Sequence, residues 1–205
     1  MARSRARDYD EKRLSLLRQA AAVFARDGYD RASMAGLAAE CGVSKALFYH
    51  YYASKEALLF DIISTHLEEL VEAVEAADDA ALAPELRLER LVGALLEAYR
   101  DADAEHKLQI GTMQILPDAE QAQLKALERQ LVARFAEAIR AVAPEAFEGT
   151  PLLKPVTMSL FGMLNWFYMW FREGGPVGRA DYALLATRLL VGGVRDLAAR
   201  PMTDR

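Results

Sequence analysis

Cysteine is nearly absent from this sequence: Cys41 stands alone among 205 residues. One thiol cannot build an internal disulfide framework, and the expectation is a reducing, cytoplasmic setting. Histidine is almost as scarce. His50, His66 and His106 lie far apart in the chain, and no pair has the spacing of zinc ligands. Asp103 and His106 make one carboxylate-x-x-His step, whereas a di-iron bundle needs two such motifs with partnering glutamates. A glycine-rich phosphate loop and a nucleophile elbow are both missing, so no enzymatic activity, cofactor or metal is expected. Long apolar runs are missing as well, since none reaches the roughly 18 residues that span a bilayer. The nearest, Val156 to Phe171, is interrupted by Asn165 and flanked by Lys154 and Arg172. Met1 to Tyr9 is arginine-rich without an apolar core, unlike a secretory signal. No membrane partner is expected.

What the chain does have is a lopsided charge. The net charge of −5 divides into +4 over residues 1–55 and −9 over the remainder. A basic end on an acidic body suits a polyanion-facing module, and it equally suits ordinary solvated helix faces. Hydrophobic residues make up 53% of the chain, enough for a sizeable core.

The periodicity is helical throughout. From Asp8 onward, Leu14, Leu17, Ala21 and Phe24 recur at three- and four-residue steps, and Gly28 follows where a left-handed terminator is wanted. Ser33 caps a short helix through Cys41, Ser44 caps another through about His50, and Ser54 opens a long fourth. Further helices read as Pro84–Asp103, Glu105–Leu116, Asp118–Val142, Leu152–Arg172 and Ala180–Ala199, punctuated by Pro117, Pro144, Pro151 and Gly174-Gly175-Pro176. No segment sustains a two-residue alternation. The fold class is all-α, with about nine helices.

The stretch Met34 to Phe48 carries the chemistry. Ala38 is small enough for a second helix to pass close by, Gly42 can take a positive φ, and Leu37, Val43 and Phe48 supply apolar contacts. That combination makes a helix-turn-helix, whose second helix fits a DNA major groove. An ordinary helical hairpin also favours a glycine turn. A purely structural adaptor would not need capped helices followed by tyrosine, histidine and lysine.

Val43-Ser44-Lys45-Ala46-Leu47-Phe48-Tyr49-His50-Tyr51-Tyr52-Ala53-Ser54-Lys55-Glu56 resembles the signature of the TetR family of regulators, densely over residues 10–63. The resemblance implies a three-helix DNA-binding domain (1–55, with its N-terminal arm) followed by an effector-binding and dimerising domain (56–205). It implies a homodimer on double-stranded operator DNA, and repression relieved by a small-molecule effector. Carried onto this chain, Ser33 binds a phosphate, while Ser44, Lys45, Ala46 and Leu47 open the recognition helix and face base edges. Tyr49 and His50 hold phosphates, as does Lys55 at the start of the fourth helix. The family often shows phenylalanine where this chain has Tyr52, which is read as a core aromatic. Tyr51 either packs on the first helix or contacts phosphate. Arg3, Arg5 and Arg7 either reach the DNA or form a tail without a specific role. Cys41 is read as packing.

The stretch from Phe161 to Phe171 is apolar on nearly every side and must be covered on nearly every side, by its own subunit and by a dimer partner. Leu184, Leu185, Leu189 and Val191 on the last helix join it, with Gly162 and Gly192-Gly193 allowing close approach. Tyr99, Met113, Phe135, Met158, Asn165, Trp166, Tyr168 and Trp170 are the candidates to line an effector cavity; for each, plain core is the competing reading. A buried Asn165 needs partners, across the dimer or on a ligand. Asn165-Trp166 with Trp170 and the glycines beyond is similar to TetR regulators of acyl-CoA catabolism, with Arg100, Lys107 or Arg172 meeting CoA phosphates. The alternatives are a lipophilic drug, as in efflux regulators, and activation in place of repression.

Overall fold

The computed structural model describes the backbone of residues 2–200 and the side chains of residues 9–200. Among them every regular element is helical: α1 (Ala2–Asp27), α2 (Met34–Glu40), α3 (Lys45–Tyr51), α4 (Lys55–Ala77), α5 (Pro84–Ala98), α6 (Asp103–Thr112), α7 (Asp118–Val142), α8 (Leu153–Asn165), α9 (Phe167–Trp170) and α10 (Arg179–Ala199). Two compact units emerge. The first comprises Met1–Glu68 with Asp101–Ala126, and the second Glu69–Arg100 with Leu127–Arg205. The cut expected between residues 55 and 56 is therefore a different partition: the units part within α4 and α7, and the first takes in α6.

In the first unit, α1 buries Leu16, Leu17, Ala20, Ala21 and Phe24, the stripe that its periodicity demands. Leu37 and Ala38 of α2, Phe48 of α3 and Leu58, Leu59, Ile62 and Ile63 of α4 are buried with them. Each of these leucine, isoleucine and phenylalanine side chains contributes about 1.5–3 kcal/mol when removed from water, and each alanine methyl less. Helix α6 packs along α1, where Lys107 Nζ donates to the Ala25 carbonyl at 3.3 Å. The α1 backbone is helical from Ala2, well before the expected start near Asp8. Arg3, Arg5 and Arg7 thus lie on a helix, and their side chains are outside the described residues.

In the second unit, α5 packs on α10, and Leu88, Leu91, Val92 and Leu95 share the core with Phe135, Ile139, Leu160, Leu164, Ala186 and Leu190. Two helices end before the sequence suggests. The α5 helix stops at Ala98, and Asp101 takes φ +58°, a left-handed conformation that a short polar side chain tolerates. The α6 helix gives way to a tight turn over Met113–Ile115, and Leu116 is extended, as a residue before proline prefers. The single helix expected over Leu152–Arg172 is interrupted at Trp166, between α8 and α9. Neither proline nor glycine marks that break. It is flanked by a hydrogen bond from Tyr99 to Asn165 and by Phe167 stacked on Phe171 and Tyr182 at 4.2 and 5.0 Å.

Candidate nucleic-acid interface

Three serines set the ends of the elements that matter. Ser33 and Ser44 are extended, and their hydroxyl oxygens accept from Gly36 N–H at 3.1 Å and Leu47 N–H at 3.2 Å. Ser54 does the same for Ala57 N–H at 3.1 Å, opening α4. Each bond satisfies an otherwise orphaned donor of a first helical turn. Because the serine acts there as acceptor, its own O–H remains a donor.

The α2–α3 turn closes in a specific way. Val43 N–H donates to the Ala38 carbonyl and Gly42 N–H to the Ala39 carbonyl, both at 3.0 Å. This pair of bonds is a Schellman motif, and it requires a left-handed residue, which is Gly42 at φ +63°. A β-carbon at Gly42 meets nothing within 4 Å, so the demand for glycine is one of backbone conformation alone. Leu37, Ala38 and Phe48 are buried at the crossing and Val43 is half-buried, so the apolar lock read from the sequence is present.

With Phe48 pointing inward, α3 turns Lys45, Ala46, Tyr49 and His50 outward, and Ser44 before it is exposed too. Leu47 is half-buried at the edge of this face. Lys45 Nζ lies 5.8 Å from the centre of the Tyr49 ring, so the ammonium and phenol stand on one ridge. Ser33 is exposed at the start of α2. Lys55 is placed differently: it is half-buried, donates to the Tyr29 carbonyl at 2.9 Å and sits 4.5 Å over the Tyr29 ring. Part of its hydrogen-bonding capacity thus goes to holding the loop after Gly28 against the start of α4.

Tyr51, the aromatic left with two readings, and Tyr52, read as core, take different places. Tyr51 stacks on Tyr9 of α1, centroids 4.8 Å apart, which is the packing alternative. Tyr52 is buried beside Phe48, and its hydroxyl donates to Asp61 Oδ2 at 2.6 Å. Arg13 engages the same carboxylate through two nitrogens, with Nε at 2.9 Å. Asp61 and Arg13 carried no sequence signal of their own; the clue was a tyrosine where phenylalanine is usual. Cys41 is a buried free thiol whose pKa burial pushes up, in keeping with packing.

The residues expected around an effector scatter. Tyr99 is buried, and its hydroxyl donates to Asn165 Oδ1 at 2.9 Å. Phe135 is buried edge-on to Phe161 at 5.2 Å. Tyr168 is half-buried, while Met158, Trp166 and Trp170 are exposed at 47%, 59% and 48%. Met113 is a buried residue of the first unit. Of the candidate phosphate-binding cations, Arg100 pairs with Glu97 and Glu173, and Lys107 is the residue on the Ala25 carbonyl. Arg172 is exposed just beyond α9. No group of three metal-ligating side chains occurs among the described residues, and no described helix is long and apolar enough to cross a membrane.

Known proteins match both parts of the chain. Residues 16–62 match the model of the bacterial regulatory proteins of the tetR family, and residues 81–194 match the tetracyclin repressor-like C-terminal domain. A TetR-family transcriptional regulator from Bordetella parapertussis is 32% identical, with a TM-score of 0.81 over 87% of this chain and 93% of that one. AibR, in a crystal structure with isovaleryl coenzyme A and operator DNA, shares the fold at 23% identity and a TM-score of 0.72, over 89% of this chain and 97% of that one. The transcriptional activator FasR of Mycolicibacterium smegmatis is 38% identical over 68 residues, which are 33% of this chain. The curated relatives are matched over only part of their length, 31% for FasR. A family model matching more than half of the chain, the helix-turn-helix geometry and the Bordetella likeness agree. This chain belongs to the TetR family of bacterial transcriptional regulators.

Proposed function

We propose that this chain acts in the cytoplasm as a homodimeric repressor, without enzymatic activity, that holds a palindromic operator and releases it when a hydrophobic small molecule binds. The observation that carries the reading is the outward face of α3, with Ser44, Lys45, Ala46, Tyr49 and His50 displayed while Phe48 anchors the other side. In a major groove, Lys45 is placed to donate to guanine and Ala46 and Leu47 to meet thymine methyls. Ser33, Tyr49 and His50 donate to phosphates, and Lys55 keeps donors for one beside its bond to Tyr29. DNA-binding residues 1–55 and effector-binding residues 56–205 are the functional division that goes with this reading.

Dimerisation is supported by what the single chain leaves uncovered. Met158, Trp166, Met169 and Trp170 lie exposed around α8 and α9, as do Leu185 and Leu189 on α10, an apolar surface of the kind that marks an interface. A groove of about 430 Å³ between α8 and α10 includes Met163, Leu189 and Gly193. Pairing there supplies two recognition helices for two half-sites.

For the effector, the reading is an acyl-CoA thioester. The buried Tyr99 and the half-buried Asn165 form a polar pair in the second unit, and Arg172 is exposed to meet phosphate. AibR, of the same fold, binds isovaleryl coenzyme A beside operator DNA. The effector must favour the state that does not hold operator, and operator must weaken effector binding by the same factor. The test titrates isovaleryl-CoA, then longer acyl-CoA thioesters, into the protein on its selected palindrome. Operator affinity falling at saturating thioester supports the scheme; affinity unchanged across the series removes the thioester assignment. Affinity raised by thioester assigns the opposite sign of response, with the effector favouring the operator-bound state.

A further inference from the structure

The carboxylate of Asp61 stands where three helices meet. It accepts from the Tyr52 hydroxyl at 2.6 Å and from Arg13 Nε at 2.9 Å, and Arg13 Nη2 bonds the same carboxylate and Thr65 Oγ1 at 3.3 Å. Arg13 belongs to α1, Asp61 and Thr65 to α4, and Tyr52 is the C-terminal cap of α3, its N–H on the Phe48 carbonyl at 3.0 Å. The cluster is partly shielded, with the Arg13 and Asp61 side chains 32% and 20% exposed. Burial and the carboxylate push the Tyr52 hydroxyl pKa far up, so it stays a donor. A phenylalanine at this position would pack the same ring without the bond.

We infer that Asp61 is a positioning residue for DNA recognition: through the Tyr52 hydroxyl it holds the far end of the recognition helix in a fixed register against α1 and α4. The inference rests on the proposed role of α3. The register matters because phosphate contacts survive small displacements of a helix, whereas hydrogen bonds to base edges do not. A loosened α3 thus keeps its electrostatic grip and loses its discrimination. The two bonds sit at the end of α3 opposite Ser44 and Lys45, so a small tilt there moves the base-reading end by a larger arc.

The test uses the full chain and two duplexes of equal length: the palindrome that the unaltered protein selects from a random library, and a scrambled version. Tyr52→Phe keeps the ring, and Asp61→Asn keeps an acceptor for the tyrosine while weakening the hold on Arg13. Each is expected to lower the ratio of palindrome to scrambled affinity by about three- to tenfold, with scrambled affinity held within about twofold. The double variant is expected to lose less than the product of the single losses, because both act on one junction. Measurements are made well below each variant's thermal midpoint. A lowered midpoint with an unchanged ratio means that the cluster only stabilises the fold, and it overturns the inference. An unaltered protein that fails to discriminate the duplexes overturns the inference together with the DNA-reading role of α3, and is recognised by appearing before any substitution is made.

Discussion

Arg87→Met will destabilise the second unit by about 3 kcal/mol. Arg87 and Asp78 are only 9% and 10% exposed, and they meet through two parallel bonds, Nε to Oδ1 at 2.6 Å and Nη2 to Oδ2 at 2.9 Å. Removing the guanidinium strands a shielded carboxylate, which typically costs about 3–5 kcal/mol. The lower end applies because Arg134 stays 3.3 Å from Asp78. Glu137, 61% exposed, adds little to either side. Replacing both partners, Arg87→Met with Asp78→Leu, will come within about 1 kcal/mol of the unaltered protein, since two desolvated charges then disappear together. Amide exchange resolved by peptide is the assay, because it assigns the loss to α5 and α10. Their slowest amides will exchange on the order of a hundredfold faster in the single variant and near the original rate in the double. Asp78 is held below the usual carboxylate range chiefly by its bond from Arg87. Its stabilisation is therefore complete above the unfolded value, about 3.9, and is lost as pH falls through the lower folded value. The gap between the unaltered protein and Arg87→Met will narrow below about pH 4. A single variant no less protected than the double would refute the claim that this pair is a shielded, mutually dependent one.

Other substitutions divide the work of the α3 face. Lys45→Ala will relax the base preference of selected sites, whereas Tyr49→Phe will weaken all sequences alike and leave the salt dependence unchanged, because a neutral phenol displaces no counterion; equal effects on operator and scrambled DNA for Lys45→Ala remove it from base reading. His66, buried with its ring 5.9 Å from that of His106, has its pKa pushed down to about 3 by burial and by that neighbour. The unfolded residue titrates near 6.5, so below that pH the unfolded chain takes up a proton that the fold refuses. Stability of the first unit will fall from about pH 6.5 downward, and His66→Leu will flatten the fall; equal slopes in α4 amide exchange count against this.

Local chemistry was legible in the sequence. Ser33, Ser44 and Ser54 cap because a short hydroxyl before a helical run has one good geometry, and Gly42 turns because other residues resist its φ of +63°. Tyr52 was readable as a core ring, and its hydroxyl's partner was not, because Asp61 is placed by the crossing of α3 and α4. The same holds for Lys55, whose bond to the Tyr29 carbonyl depends on a loop that is distant in sequence. The break at Trp166 has no glycine or proline to announce it; what accompanies it is Tyr99, brought to Asn165 from just beyond the end of α5. The membership of α6 in the first unit is likewise a matter of tertiary packing against α1, which hydrophobic period cannot reveal.

The measurement that bears most directly on the central claim is selection of bound fragments from a random duplex library by the purified full chain at moderate salt. The account predicts a palindrome whose half-sites lie one or more helical turns apart, with an affinity that falls steeply as salt rises. A folded dimer that enriches no sequence, with or without effector stripped by refolding, would contradict it.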